Sequence, residues 1–187
     1  GQISRELIET RCQTGAEIVR QMRFPETVAQ AILDLDEHWN GKGQPLGRAG
    51  TSIALGARIA LLAQIIDVFY KAGGPKAAMK EVRQRTGTWF DPALVSLFEQ
   101  VATDPYFWVG LHSTDLEARI VALEPVRLVI TVDDDYLDDV AAGFARVVDS
   151  KSPFTSGHSQ RVALFSDMIA EELGLGSEKR RWLKRAA

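Results

Sequence analysis

The stretch from Leu35 to Gly50 limits what this chain can fold into more than any other. It reads Leu-Asp-Glu-His-Trp-Asn-Gly-Lys-Gly-Gln-Pro-Leu-Gly-Arg-Ala-Gly and holds four of the fifteen glycines. Helical periodicity runs up to it and resumes just beyond it. A Gly-x-Gly-x-Pro loop between two helices costs chain entropy, so it is expected to hold a defined shape. The fold must therefore join two helices through a specified glycine loop.

The rest of the chain reads as helices. Residues 3–22 carry apolar Ile3, Leu7, Ile8, Ala16, Val19 and Met22. Pro25 opens a second helix whose Val28, Ala31, Ile32 and Leu35 share one face. The strongest pattern runs from Ile53 to about Tyr70, where Leu55, Ile59, Leu62, Ile66 and Phe69 form a stripe expected to lie buried at the centre. Ala72-Gly73-Gly74-Pro75 stops that helix and starts a short basic one, closed by Gly87. Asp91-Pro92 and Asp104-Pro105 each read as an N-cap followed by a first-turn proline. Tyr106, Phe107 and Trp108 are expected in the core, and residues 115–123 read as helical. Val126 to Val132 alternates but has no partner strand, so it reads as an extended linker. Asp133 caps a helix with the stripe Leu137, Val140, Ala141, Phe144 and Val148. After a turn-rich break, His158, Val162, Phe165 and Ile169 share a face expected to point at a core, and Ser177 caps a last helix. The expected fold class is all-α, about ten helices in a bundle with no significant sheet.

Charge and composition narrow the function classes. A net charge of −3 gives no bulk attraction to nucleic acid or anionic lipid. The one basic run, Lys179 to Arg185, reads as a solvated helix face with Trp182 and Leu183 turned inward, so nucleic acid is the weakest of three readings. The single cysteine, Cys12, excludes an internal disulfide and reads as a small buried residue in a reducing compartment. No apolar run reaches the roughly 20 residues of a membrane helix, and the first residues are no signal peptide. The expected location is cytoplasmic.

The glycine loop resembles the signature of the HD-GYP phosphohydrolases, His-His-Glu-x-x-Asp-Gly-x-Gly-Tyr-Pro. Glu37, Gly41, Gly43 and Pro45 match it in register, Asn40 replaces its Asp, and Gln44 its Tyr. Leu35 and Asp36 stand at its paired histidines, which the resemblance implies are metal ligands. Gly15-Ala16 matches a further family segment with Arg11 at its His, and Ala57-Arg58-Ile59 matches another with Gln64 at its metal Asp. Arg11 has no lone pair to donate, Leu35 has no donor atom, and Gln64 is a weak neutral ligand. Asp36 alone does not hold a transition metal. This half-site is therefore expected to bind none. Glu37 and His38 are expected to be structural, Glu37 accepting backbone N–H groups of the loop and His38 covering it.

A second piece of the same pattern follows. Thr155, Gly157, His158, Arg161 and Val162 match the opening of an HD-GYP domain, in which the His is the first metal ligand. Phe154 stands where some relatives have Glu. The resemblance places the family's His-Asp pair after Ala187, so His158 would ligate metal only with residues beyond it. Lys151 and Arg161 are candidate phosphate contacts. The implied organisation is a degenerate half-domain over 1–125, a linker over 126–132, and the first helices of a second domain over 133–187. The implied parent is an Fe- or Mn-dependent phosphohydrolase acting on a phosphodiester, with a cyclic dinucleotide as one candidate, and this chain alone is expected to be inactive. The alternative is a non-catalytic regulatory or dimerisation module of a bacterial signalling protein. The apolar stripes of the last helices predict a homo-oligomer, a helix-exchanged dimer, or a fold-back onto the first half.

Overall fold

The computed structural model describes residues 2–124, 131–150 and 157–187. Its helices are α1 (Gln2–Gln21), α2 (Glu26–Leu33), α3 (Leu55–Arg85), α4 (Pro92–Ala102), α5 (Pro105–Gly110), α6 (Leu116–Val121), α7 (Asp134–Ser150), α8 (His158–Glu172) and α9 (Ser177–Ala186), with one 3₁₀ turn at Gly50–Ser52. The fold is all-α. Among the described residues the strand-like pairings are two isolated bridges, Asn40 with Ala49 and Thr86 with Phe90. No described helix is long and apolar enough to cross a membrane. Most of the expected linker, together with Lys151, Phe154 and Thr155, lies outside the described residues.

Two compact units divide the chain, one of Gly1–Cys12 with Gln30–Ile130 and the other of Gln13–Ala29 with Thr131–Ala187. In the first, Leu61, Leu62, Val82, Phe90 and Val95 form the core, with Ile65, Ile66, Trp89, Leu94 and Phe98 packed around it. The expected stripe on α3 is rotated at its start. Ala57, Leu61 and Leu62 are buried, whereas Leu55 and Ile59 are about half exposed. The cause is a close approach of small residues. A Cβ on Gly56 would lie 3.0 Å from the Ala31 Cβ, so the start of α3 approaches α2 at Gly56. The expected stop at Gly73-Gly74-Pro75 is a kink, with Gly74 at φ 72°, and helix continues to Arg85. Both Asp-Pro starts form as expected: Asp91 accepts from the Ala93 N–H and Asp104 from the Tyr106 N–H, each at 2.9 Å. Trp108 is buried, stacks on Tyr70 at 5.0 Å and donates to the Ala102 carbonyl, while Tyr106 points to solvent.

The second unit is held differently. Gly143 of α7 faces Met22, and a Cβ there would lie 2.4 Å from the Met22 Cγ. Asp133 caps α7 through the Tyr136 N–H at 2.7 Å. The expectation for α9 is reversed: Trp182 is 57% exposed and Leu183 38%. Its arginines face the neighbouring helices instead. Arg180 bonds Asp167 and Glu171 at 2.8 Å each, Arg181 bonds Asp135 and Asp138, and Arg185 bonds Asp138 at 2.5 Å and Asp134 at 2.9 Å. The acidic first turns of α7 and the carboxylates of α8 supply the complement that turns the helix over. Ser177 is the first helical residue and makes no cap bond. The α8 face expected to point at a core is open, with His158 exposed, Phe165 at 58% and Ile169 at 62%.

Ion pairs of this kind are screened as the Debye length falls to about 3 Å near 1 M salt. Thermal unfolding followed by circular dichroism should therefore show a lower midpoint at high NaCl than at low NaCl. Charge reversal at Arg181 should abolish most of that dependence.

Candidate functional site

The glycine loop is built on buried carboxylates. Helix α2 ends at Leu33, and residues 34–36 form a turn, so Leu35 lies on the turn rather than on the helix face expected for it. Asp34 is fully buried. It accepts from the Ala54 N–H at 3.0 Å and the Gln30 amide at 2.8 Å, and pairs with Arg48 at 3.5 Å. One carboxylate thus ties the end of α2, the loop and the entry to α3. Sequence reading missed Asp34, because its partners stand up to twenty positions away.

Glu37 is 2% exposed, and its Oε1 accepts from the Leu46 N–H at 2.6 Å and the Gly47 N–H at 3.0 Å. This is the role the sequence predicts. The loop then closes on itself: the Gly41 N–H donates to the His38 carbonyl, Gln44 to Asp36, and Gly50 to Trp39. Two further bonds, Trp39 to Trp89 and Asn40 to Thr88, fix it to the segment before α4. Gly43 is dictated by space, since a Cβ there would lie 2.1 Å from the His38 nitrogen. Gly41 at φ 75° and the buried Pro45, after a cis peptide bond, complete the frame. His38 covers the loop by stacking on Trp89, with ring centroids 4.2 Å apart. Glu37 and His38 therefore diverge and do not form a base with its partner.

Arg58 donates to Asp91 at 2.6 Å, and both side chains are largely buried. Asp91 also caps α4, so this pair carries the loop's position on to α4. The sequence reading placed Arg58 in the Ala57-Arg58-Ile59 match and gave it no partner.

The positions matched to metal ligands fare as follows. Arg11 and Asp36 come together in a hydrogen-bonded ion pair, and the Cys12 Sγ lies 3.6 Å from the same Asp36 oxygen. Leu35 is half-buried on the turn, and Gln64 is exposed on α3. Burial first, and Asp36 second, push the Cys12 thiol up to about 11, so it is neutral at ordinary pH. Among the described residues no group of three or more His, Cys, Asp and Glu could hold a metal ion. A cation bonded to the one carboxylate, a neutral thiol and an apolar side chain do not fit a divalent metal.

In the second unit His158 opens α8 after Gly157, which sits at φ 65°. The start of α8 is held by Asp149, which accepts from the Ser159 hydroxyl at 2.8 Å. Arg161 reaches back to within 3.1 Å of where a Gly157 Cβ would stand. No second imidazole or carboxylate completes a metal cluster with His158 among the described residues. A separate cleft of about 390 Å³ beside α3 is lined by Ile59, Ile66, Phe98, Phe107 and Leu111, with Asp67 and Tyr70 its polar groups. Asp67 is paired with Lys71, and the Tyr70 hydroxyl bonds the His112 ring at 2.7 Å.

Residues 2–94 match the model of the HD domain family. The chain is 47% identical over 184 residues to the 3'3'-cGAMP-specific phosphodiesterase 3 of Vibrio cholerae serotype O1, covering 98% of this chain and 40% of that protein. It is 28% identical over 106 residues to the 3'3'-cGAMP-specific phosphodiesterase 1 of the same organism, covering 55% of this chain and 24% of that protein. The crystal structure of the V. cholerae cyclic GMP-AMP specific phosphodiesterase V-cGAP3 matches with a TM-score of 0.81 at 47% identity, covering 98% of this chain and 44% of that one. The chain thus spans less than half the length of each of these relatives.

Two outcomes follow from the loop. Gly43→Ala forces backbone apart and should lower stability by about 2–4 kcal/mol in denaturant titration, whereas Gly176→Ala, with open space around it, should change little. His38 sets a pH dependence. Burial lowers its imidazole below the ordinary 6.5, Asp36 opposes the shift and Arg85 adds to it. The unfolded chain therefore takes up the proton first, and stability falls as pH drops below 6.5, levelling off once the folded ring is also protonated. His38→Phe should remove that part of the slope in unfolding curves measured across this range.

Proposed function

The chain belongs to the HD-domain family, and on that basis we propose that it is a non-catalytic portion of a cyclic-dinucleotide phosphodiesterase. The observation that carries this reading is the 47% identity over nearly the whole chain to a 3'3'-cGAMP-specific phosphodiesterase. Residues 1–125 are read as a degenerate half-domain that keeps the glycine-loop frame, 126–132 as a linker, and 133–187 as the opening of a second domain. In this reading the parent protein would hydrolyse a phosphodiester in the cytoplasm, and a divalent metal, Fe or Mn, would supply the activation of water near neutral pH.

This chain's own residues have narrower tasks. Glu37 and Asp34 hold the loop, and Arg58 with Asp91 holds α3 to α4. His158 is a ligand to metal only together with side chains outside this chain, and Lys151 and Arg161 contact the substrate's phosphates. The α9 arginines are committed to carboxylates, which argues against nucleic acid as a partner.

A second reading, a regulatory or dimerisation module, draws on exposed apolar side chains. Phe144, Val148, Phe165 and Ile169 are each more than half exposed. Faces of this kind are commonly covered by a neighbouring surface, and a second copy is the partner proposed.

Three proteins test the catalytic reading: this chain, a form extended past Ala187 along the relatives' length, and that form with His158→Ala. The chain alone should neither retain stoichiometric Fe or Mn nor hydrolyse 3'3'-cGAMP. The extended form should do both, and His158→Ala should remove most of its metal. Metal-dependent turnover by the chain alone would refute the reading.

A further inference from the structure

The place beside Asp36 is occupied by a side chain that carries its own positive charge. Arg11 reaches from α1 to the turn after α2 and bonds the Asp36 carboxylate, with the Cys12 Sγ 3.6 Å from the same oxygen. We infer that Arg11 is a resident cation at this site, balancing Asp36 in the place a divalent ion would take and so keeping metal out. This rests on the reading of residues 1–125 as a non-catalytic half-domain.

The pair's exposure decides what it does. The Arg11 side chain is 64% exposed and Asp36 28%. An ion pair this open contributes little to stability, so its effect lies in occupancy. While the guanidinium is in place, the carboxylate's charge is neutralised, and an approaching dication meets a fixed positive group about where it would have to bind. The neighbouring Cys12 is buried, with its Sγ on the same carboxylate, so the guanidinium lies beside both potential donors. Asp36 lies at the hinge of the loop, its carbonyl accepting from Gln44, so a charge left unbalanced there would act on the frame.

Without the guanidinium, a carboxylate and a thiol remain within 3.6 Å of each other. An imidazole at position 11 would add a third donor from the same helix. A carboxylate, a thiolate and an imidazole suit a borderline-soft dication such as Zn²⁺. Arg11 is thus the residue that keeps this two-donor set, Asp36 and Cys12, from gaining a third donor.

The test uses the full chain and Co²⁺, whose thiolate-to-metal absorption reports Cys12 directly. The wild type and Arg11→Lys should show no such band. Arg11→His should develop it and bind Co²⁺ at least tenfold more tightly than wild type, and adding Cys12→Ser should abolish the band. Arg11→Ala, lacking the third donor, should give a weaker band and serves if Arg11→His does not fold. A thiolate band in the wild type as strong as in Arg11→His would overturn the inference, and so would a folded Arg11→His or Arg11→Ala that binds no Co²⁺. Because the readout is binding, it is separate from the hydrolysis assay that tests the half-domain reading.

Discussion

The first unit depends on buried carboxylates that bond to backbone N–H groups. Asp34 takes the Ala54 N–H, and Glu37 takes those of Leu46 and Gly47. Charge-assisted bonds of this sort contribute about 1.5–3 kcal/mol each, and leaving a buried carboxylate without them costs more. A loop fixed through its N–H groups tolerates any side chain that does not obstruct the backbone. That is why Gly43 is dictated by space, whereas Lys42 between Gly41 and Gly43 is exposed. The fixed loop then orients Trp39 and His38 against Trp89, and Arg58 carries the constraint through Asp91 to α4.

The second unit solves the packing problem with charge. A short helix carrying Lys179, Arg180, Arg181, Lys184 and Arg185 would lose much by burying cations alone. The carboxylates of Asp134, Asp135, Asp138, Asp167 and Glu171 meet Arg180, Arg181, Lys184 and Arg185, so the guanidinium stems pack while the apolar Trp182 and Leu183 face out. Arg185 itself crosses the Trp182 ring at 4.8 Å, so even the outward aromatic is tied to the ionic face.

The helical class, the loop frame, the role of Glu37 and both Asp-Pro caps were legible in the sequence, because each is a local rule written within a few residues. Three features were not. Asp34 and the Arg58–Asp91 pair act across twenty and thirty-three positions, a separation at which no local spacing signals contact. The start of α3 was misread, although Leu62 and Ile66 do pack in the core, because small residues, Gly56 and Ala31, make the close approach there. The orientation of α9 was misread because hydrophobic periodicity assumes that apolar means inward, and ionic complementarity reversed it.

The contrast between frame and ligand positions has a physical origin. Frame residues such as Glu37, Gly43 and Pro45 are held by backbone contacts, and changing them moves the main chain. The positions matched to metal ligands are of another kind. Arg11 and Gln64 are exposed, and Leu35 and Asp36 lie partly open on a turn. Substitution there alters charge and donor set while leaving the fold's hydrogen bonds intact. A chain relieved of the need for metal chemistry would therefore be expected to change at these positions first and to keep the glycine loop, since folding requires the loop and does not require the ligands. In this chain the loop's backbone hydrogen bonds are made beside an Arg–Asp pair.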